Sequence, residues 1–117
     1  MNNKEFAKQL EVRTRLFGIS VIKLSATLPN TIEGKVIRNQ ITKSGTSIGA
    51  NYREANRSRS KKDFKNKIKI SESEASETEY WLEIINDLNW VESKQLNTII
   101  KEAKELLALF TSIANKL

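Results

Sequence analysis

Apolar residues recur at intervals of three, four or seven positions along almost the whole chain, and only one proline and four glycines interrupt them. This spacing places side chains on one face of an α-helix, whereas an all-β chain would need many more turn residues. With 117 residues, the chain is long enough to bury one hydrophobic core and too short for two. We therefore expect one all-α domain spanning residues 1–117.

The first half of the chain predicts two helices. The first is expected at about residues 4–27, because Pro29 cannot continue a helix. The second is expected at about residues 33–56, since Asn30 and Glu33 have the spacing of a capping box, in which a short polar side chain and a carboxylate satisfy free backbone amides at a helix start.

The second half predicts two more helices. Ser60 and Asp63 repeat the capping spacing at the start of the third helix, which is expected to end near Asn89, a residue type that tolerates the left-handed conformation of a helix end. The fourth is expected to open around Glu92 and Ser93 and to run to Leu117. Four helices of similar length with short connections favour an antiparallel up-down-up-down four-helix bundle.

Each helix carries one series of residues expected to face the core. Asn51 is expected to be a buried amide that fixes the register of the helices, whereas Gly45 and Gly49 weaken the second helix by about 1 kcal/mol each relative to alanine. The core series are Phe6, Leu10, Phe17, Val21, Leu24 and Leu28; Val36 or Ile37, Ile41, Ser44, Ile48, Asn51 or Tyr52 and Ala55; Phe64, Ile68, Ser71, Ala75, Thr78, Leu82 and Ile85; and Leu96, Ile99, Ile100, Ala103, Leu106, Leu107, Phe110, Ile113 and Leu117.

Two helices carry a second series beside the first. A small bundle ordinarily buries one face of each helix, so the additional apolar surface predicts self-association. The alternative is that these residues broaden the core face and that Trp81 and Trp90 fill its edge. The second series are Val12, Leu16, Ile19, Ile22 and Ala26 in the first helix, and Ile70, Glu74, Glu77, Trp81, Ile84, Leu88 and Val91 in the third.

The residue types that the chain lacks lower the expectation of chemistry. It has no cysteine and no histidine, which removes disulfides, thiolate nucleophiles, the commonest general base and most zinc sites. We expect no catalysis, no cofactor and no metal. The N-terminus has no apolar signal core and no stretch approaches the length of a membrane span, so the sequence predicts a cytoplasmic protein without a membrane partner.

Positive charge is concentrated in one segment. Residues 35–69 contain eleven basic and two acidic residues, in a chain of net charge +6. The expected nucleic-acid-binding residues lie at the end of the second helix and the start of the third: Arg53, Arg57, Arg59, Lys61, Lys62, Lys65 and Lys69.

Two explanations of this basic segment remain open. Lysines at the start of a helix oppose its dipole, which favours a functional reason for them, and several cations on one surface bind phosphates without reading sequence. Alternatively, the segment is a solvated or intersubunit face whose cations meet Glu72, Glu79 or Glu83 of a neighbouring copy.

The segment SGTSIGANYREANRSRSKKDF, residues 44–64, resembles the signature of the four helix bundle protein family, which includes proteins encoded by intervening sequences in large-subunit ribosomal RNA genes. The segment EASETEYWLEII, residues 74–85, is similar to the family's third helix. The resemblance covers essentially the whole chain and implies an up-down bundle that assembles as a ring-like homopentamer.

The resemblance also implies partners. A related accessory protein of diversity-generating retroelements binds nucleic acid and a reverse transcriptase, which by analogy makes RNA, DNA or such a protein an expected partner. Apart from the resemblance, the second series of the third helix predicts a subunit interface that includes Trp81, Ile84 and Leu88, in which Glu74 or Glu77 pairs with Arg53 or Arg57 inside the assembly. Two functions therefore remain: a nucleic-acid-binding homo-oligomer, and a structural or protein-interaction scaffold whose charges serve assembly.

Overall fold

The computed structural model describes residues 3–117, which form four α-helices: α1 (Asn3–Ser25), α2 (Ile32–Ala55), α3 (Lys61–Asp87) and α4 (Ser93–Asn115). The helices pack α1 on α2, α2 on α3, and α3 on α4, in a body of 44 × 26 × 21 Å. The predicted antiparallel up-down-up-down bundle is confirmed, and the helix boundaries lie within about two residues of the expected ones.

Local chemistry explains three of the helix ends. The Oγ of Ser60 accepts a hydrogen bond from the backbone N–H of Asp63 at 3.1 Å, as predicted for the start of α3. Asn89, just beyond the end of α3, has a φ of 57° and so takes the expected left-handed conformation. The cap of α2 differs from the prediction: Thr31, not Asn30, accepts a hydrogen bond from the N–H of Gly34, at 3.0 Å.

The core contains most of the predicted residues, and the exceptions lie mainly near helix ends. Phe6 and Leu117, near the two ends of the described chain, are 39% and 52% exposed. At the undecided positions of α2, Ile37 packs against the core while Val36 is exposed, and Tyr52 is buried with its ring 5.4 Å from that of Phe110.

Buried hydroxyl groups link the helices. The Oγ1 of Thr78 donates to the Oγ of Ser44 at 3.0 Å, and the Oγ of Ser71 donates to the carbonyl of Ile48 at 2.9 Å. The prediction for Asn51 was wrong, because its side-chain amide donates to the carbonyl of Ser47 in the same helix. The α2–α3 register is thus fixed by serine and threonine hydroxyls.

The bundle is least closed between α1 and α4. The backbones of these helices approach each other much less than those of the other neighbouring pairs. An open groove of about 520 Å³ separates them, lined by Val12, Leu16 and Ile99 among others. Arg13 bridges this groove, donating from Nε and Nη2 to the two carboxylate oxygens of Glu102 at 2.7 and 2.6 Å.

Candidate nucleic-acid and subunit interfaces

Three lysines form a column at the start of α3. Lys61, Lys65 and Lys69 are four residues apart, so they stack along one side of the helix over about 12 Å. Lys61 and Lys69 are exposed, and Lys65 is half-buried. We call these three residues the lysine column; Lys62 is exposed and lies beside it.

The lysine column faces away from α2. Lys67 marks the side of α3 that faces α2, because its Nζ lies 3.5 Å from the Oε1 of Glu54. Each residue advances a helix by about 100°, so Lys65 and Lys69, two positions either side of Lys67, point about 160–200° away from that contact. The column therefore lies on the side of α3 that turns away from α2, with Lys61 and Lys69 exposed and Lys65 half-buried.

Arg53 does not share this surface. It lines a shallow hollow between α1 and α2 with Glu11, Arg15 and Gly49. Arg57 and Arg59 are exposed in the connection between α2 and α3. Arg53 therefore lies beside α1, apart from the lysine column on α3, and the α2–α3 contact separates them.

Among the described residues, no nearby carboxylate neutralises the positive charges of the lysine column and of the α2–α3 connection. Among residues 3–117, none of the seven predicted cations lies within 4.0 Å of a carboxylate oxygen. Lys61 and Lys62 occupy the first turn of α3, where the helix dipole opposes positive charge by a few tenths of a kcal/mol each. Asp63, in the same turn, offsets part of this penalty.

The acidic residues suggested as partners for these lysines differ in position. Glu79 is largely covered, with 18% of its side chain exposed, and its Oε2 lies 3.9 Å from the Nζ of Lys104 on α4. It is therefore partly neutralised within the protomer. Glu72 is half-buried and Glu83 is exposed, and neither has a cation within 4.0 Å among the described residues.

A second apolar surface, combined with acid, lies on α3. We call its residues the outer α3 face: Ile70, Glu74, Glu77, Trp81, Ile84 and Leu88. Leu88 is 46% exposed, whereas Trp81 and Ile84 are half-buried. The indole N–H of Trp81 donates to the carboxylate of Glu77 at 3.1 Å, which orients both side chains at the surface.

Glu74 is the most perturbed carboxylate of the outer α3 face. Burial raises its pKa above the usual value, and the nearby charge of Glu77 raises it further, while Lys43 lowers it. No cation lies within 4.0 Å of either carboxylate among residues 3–117. The outer α3 face thus holds two neighbouring acids whose negative charge is poorly compensated.

A third surface lies on α1, opposite the core. Leu16 is 55% exposed, and the other apolar residues of this face are also exposed. Lysine and arginine residues occur between these apolar residues at similar spacing, so the sequence pattern of the first helix could have identified this face. We call this the outer α1 face: Lys8, Val12, Arg15, Leu16, Ile19, Ile22 and Lys23.

Two kinds of feature are not found in the part of the chain that the structure describes. Over residues 3–117, no group of three or more carboxylates lies close enough together to hold a metal ion. Within the same range, no helix has the length and hydropathy needed to cross a membrane.

Comparisons with known proteins agree with this architecture. A solved structure from Bacteroides thetaiotaomicron, described as a protein of unknown function from the S23 ribosomal protein family, matches with a TM-score of 0.82 and 38% sequence identity. The match covers 89% of this chain and 96% of that one. Among curated proteins, none matches the chain.

The family model agrees with the structural match. The model described as 23S rRNA-intervening sequence protein matches residues 6–112, which include all of α2, α3 and the two apolar outer faces. The family resemblance drawn from residues 44–64 and 74–85 is thereby confirmed. This chain belongs to the 23S rRNA-intervening sequence protein family.

Proposed function

We propose that the protein is a non-enzymatic homo-oligomer that binds nucleic acid through the lysine column and the neighbouring connection. The observation that carries this proposal is a cluster of exposed cations without carboxylate partners, among the described residues, at the start of α3. Lys61 and Lys62, in the first turn of α3, oppose the helix dipole, and a phosphate ligand offsets that penalty because the amino end of a helix attracts anions.

The spacing of the cations suits a phosphate backbone better than a single anion. Lys61, Lys65 and Lys69 lie about 6 Å apart along α3, and Lys62, Arg57 and Arg59 widen the positive surface toward the end of the bundle. Within the described chain, no exposed aromatic side chain interrupts the column, so binding rests on phosphate contacts and is independent of base sequence. RNA is the first candidate, because the family is defined by ribosomal RNA intervening sequences.

Assembly into an oligomer would bring several copies of the lysine column together in one particle. The outer faces of α1 and α3 leave apolar side chains exposed in the protomer, and covering them in an oligomer removes this surface from water. Five copies is the number that the family resemblance implies. A ring carrying one lysine column per copy binds a polyanion with several contacts at once, which strengthens binding beyond that of one copy. We place this assembly in the cytoplasm, whose reducing interior suits a chain without cysteine.

A substitution of three lysines tests the binding surface. Lys61→Gln, Lys62→Gln and Lys65→Gln, combined in the full chain, are expected to weaken binding of a structured RNA about equally for all sequences. The salt dependence of binding should flatten by up to about one unit of slope for each phosphate that the variant no longer neutralises. The matched control changes Lys94, Lys101 and Lys116 of the α4 region to Gln, which removes the same charge from exposed positions.

The results separate binding from assembly. Loss of RNA affinity in the α3 variant and not in the control, with the mass in solution unchanged, supports the proposal. Equal losses in both variants would mean that net charge alone governs binding. Unchanged RNA affinity would contradict the lysine column as the binding surface.

A second candidate function is a protein-interaction scaffold whose charges serve assembly. The observation that favours it is the poorly compensated pair Glu74 and Glu77 on an apolar surface, which suits a basic protein face. Under this function the same triple change would shift the oligomer toward smaller species without RNA binding being involved. Reverse transcriptase is a candidate partner by family analogy, and a pull-down with the purified enzyme tests it directly.

A further inference from the structure

We propose that the outer α3 face of one copy docks on the outer α1 face of the next, so that the copies join head to tail. This inference rests on the homo-oligomer of the proposed function and names the two surfaces that meet. The occupant of the outer α1 face is thus a second copy of this chain.

The two faces cannot satisfy each other within one protomer. α1 and α3 lie at diagonal corners of the bundle, and over residues 3–117 their backbones make no close approach. Leu16 on α1 and Leu88 on α3 are among the most exposed side chains of these faces. Trp81 is half-buried and also packs against the core, so the outer α3 face is only partly exposed. A contact between different faces of identical copies is heterologous, and it closes a ring when the rotation between copies permits.

Charge complementarity selects this pairing over like faces. The outer α1 face carries Lys8, Arg15 and Lys23, none of which has a carboxylate within 4.0 Å among residues 3–117. The acids on this side are Glu5, at the start of α1, and Glu11, whose carboxylate accepts a hydrogen bond from the side-chain amide of Asn56 at 2.9 Å.

Arg53 strengthens the positive character of the outer α1 face. It lines the same shallow hollow as Arg15, at the α1–α2 contact. Glu74 and Glu77 of a neighbour would therefore meet both Arg15 and Arg53. This contact agrees with the pairing of these acids with Arg53 that the sequence suggests. The contact places cations beside Glu74, a carboxylate that is poorly compensated in the isolated protomer.

Like faces fit poorly. Two outer α3 faces would bring four carboxylates together, and two outer α1 faces would bring six lysine and arginine side chains together. Juxtaposed like charges disfavour an interface strongly, so an isologous dimer through either face is the weaker arrangement. The dimensions also permit the pairing, because the apolar part of the outer α1 face extends about 15 Å and fits within the outer α3 face, which extends about 27 Å along the helix axis.

Charge reversal tests the pairing in the full chain. Arg15→Glu makes the outer α1 face more acidic, and Glu77→Arg makes the outer α3 face more basic; each change alone is expected to weaken association about tenfold or more. The chain carrying both changes should regain the wild-type mass, because acid and base have exchanged sides. Mixing the two single variants should give a larger mass than either variant alone, since each altered face meets a face of opposite charge on the other variant. A ring of five copies cannot alternate the two variants completely, so at least one contact in it stays mismatched.

Cross-linking provides a second test that does not depend on charge. The chain has no cysteine, so Leu16→Cys and Ile84→Cys introduce unique thiols. A flexible bis-maleimide should join the two variants when they are mixed and should not join either variant to itself. Self-joined products of one variant, or no joined product in the mixture, would overturn the head-to-tail contact.

The two proposals fail in different ways. A monomeric wild-type chain would contradict both the proposed oligomer and the face pairing. An oligomeric wild type whose mass is unaffected by Arg15→Glu and by Glu77→Arg would overturn the face pairing alone, as would a double variant that stays dissociated although its circular-dichroism melt shows a folded bundle.

Discussion

At the scale of single residues, glycine and threonine determine how closely α1 and α2 pack. A Cβ added at Gly45 would lie 2.7 Å from Cγ1 of Val21, and one added at Gly49 would lie 2.9 Å from Oγ1 of Thr14. The sequence indicated only that these glycines weaken a helix. These glycines also allow α1 and α2 to approach closely. Which residues of α1 lie opposite them cannot be read from the residue pattern of one helix.

A pair of substitutions measures this close approach. Gly45→Ala should lower the free energy of unfolding by about 1 kcal/mol, because overpacking against Val21 costs more than the helix propensity that alanine gains. Gly18→Ala is the matched control, since its added Cβ would meet Thr46 only at an ordinary 3.6 Å. The control should be stabilised by about 0.5–1 kcal/mol. Thermal or urea unfolding compares them, and a Gly45→Ala variant as stable as the control would contradict the tight α1–α2 contact.

At the scale of helices, spacing and capping chemistry made the four elements predictable, because both are local. Ser60 and Asn89 have the roles that their residue types suggest at a helix start and a helix end. Burial near the ends of the described chain was less predictable: Phe6 continues the periodic series but is 39% exposed. Asn51 was misassigned because its amide bonds within its own helix, an option that the periodic pattern does not exclude.

The cap of α3 can be tested directly. Ser60→Ala removes the acceptor for the N–H of Asp63 and should lower the free energy of unfolding by about 1 kcal/mol. Ser73→Ala, at an exposed position inside α3, is the control and should be neutral or slightly stabilising, since alanine is the better helix former. Chemical denaturation of both variants gives the comparison, and equal effects would argue against the cap.

The core face of α3 gives a second prediction at this scale. Leu82 is fully buried, so Leu82→Ala should cost about 2–5 kcal/mol, because apolar atoms leave the core and a cavity remains. Lys101→Ala, at an exposed position of α4, should stay within about 0.5 kcal/mol. Similar melting temperatures for the two variants would show that α3 packs on a different face.

At the scale of the whole molecule, three contacts between neighbouring helices are extensive and the fourth, between α1 and α4, is loose. Arg13 and Glu102 hold that side together, and the hydrogen bond to Glu102 raises the pKa of Arg13 above its usual value despite partial desolvation. This pair joins residues far apart in sequence, so it follows from the helix arrangement and not from any local motif. The separation of Arg53, which lies beside α1, from the lysine column on α3 has the same origin.

The Arg13–Glu102 pair provides a prediction about closure of the bundle. Arg13→Ala should lower the free energy of unfolding by about 1 kcal/mol, near the upper end for a partly exposed pair because the contact is bidentate. Arg13→Lys should recover little of this stability, since an ammonium group cannot make both hydrogen bonds in the same geometry. Full recovery in Arg13→Lys, measured by thermal unfolding, would show that charge alone matters there.

Two outer faces of the protomer carry exposed apolar side chains, and the proposed assembly covers them with other copies. Light scattering of the wild-type chain at micromolar concentration tests this assembly. We expect a mass that is a multiple of the 13.4 kDa chain mass, with five copies the expected number. A mass of one chain, unchanged as the concentration rises, would contradict it.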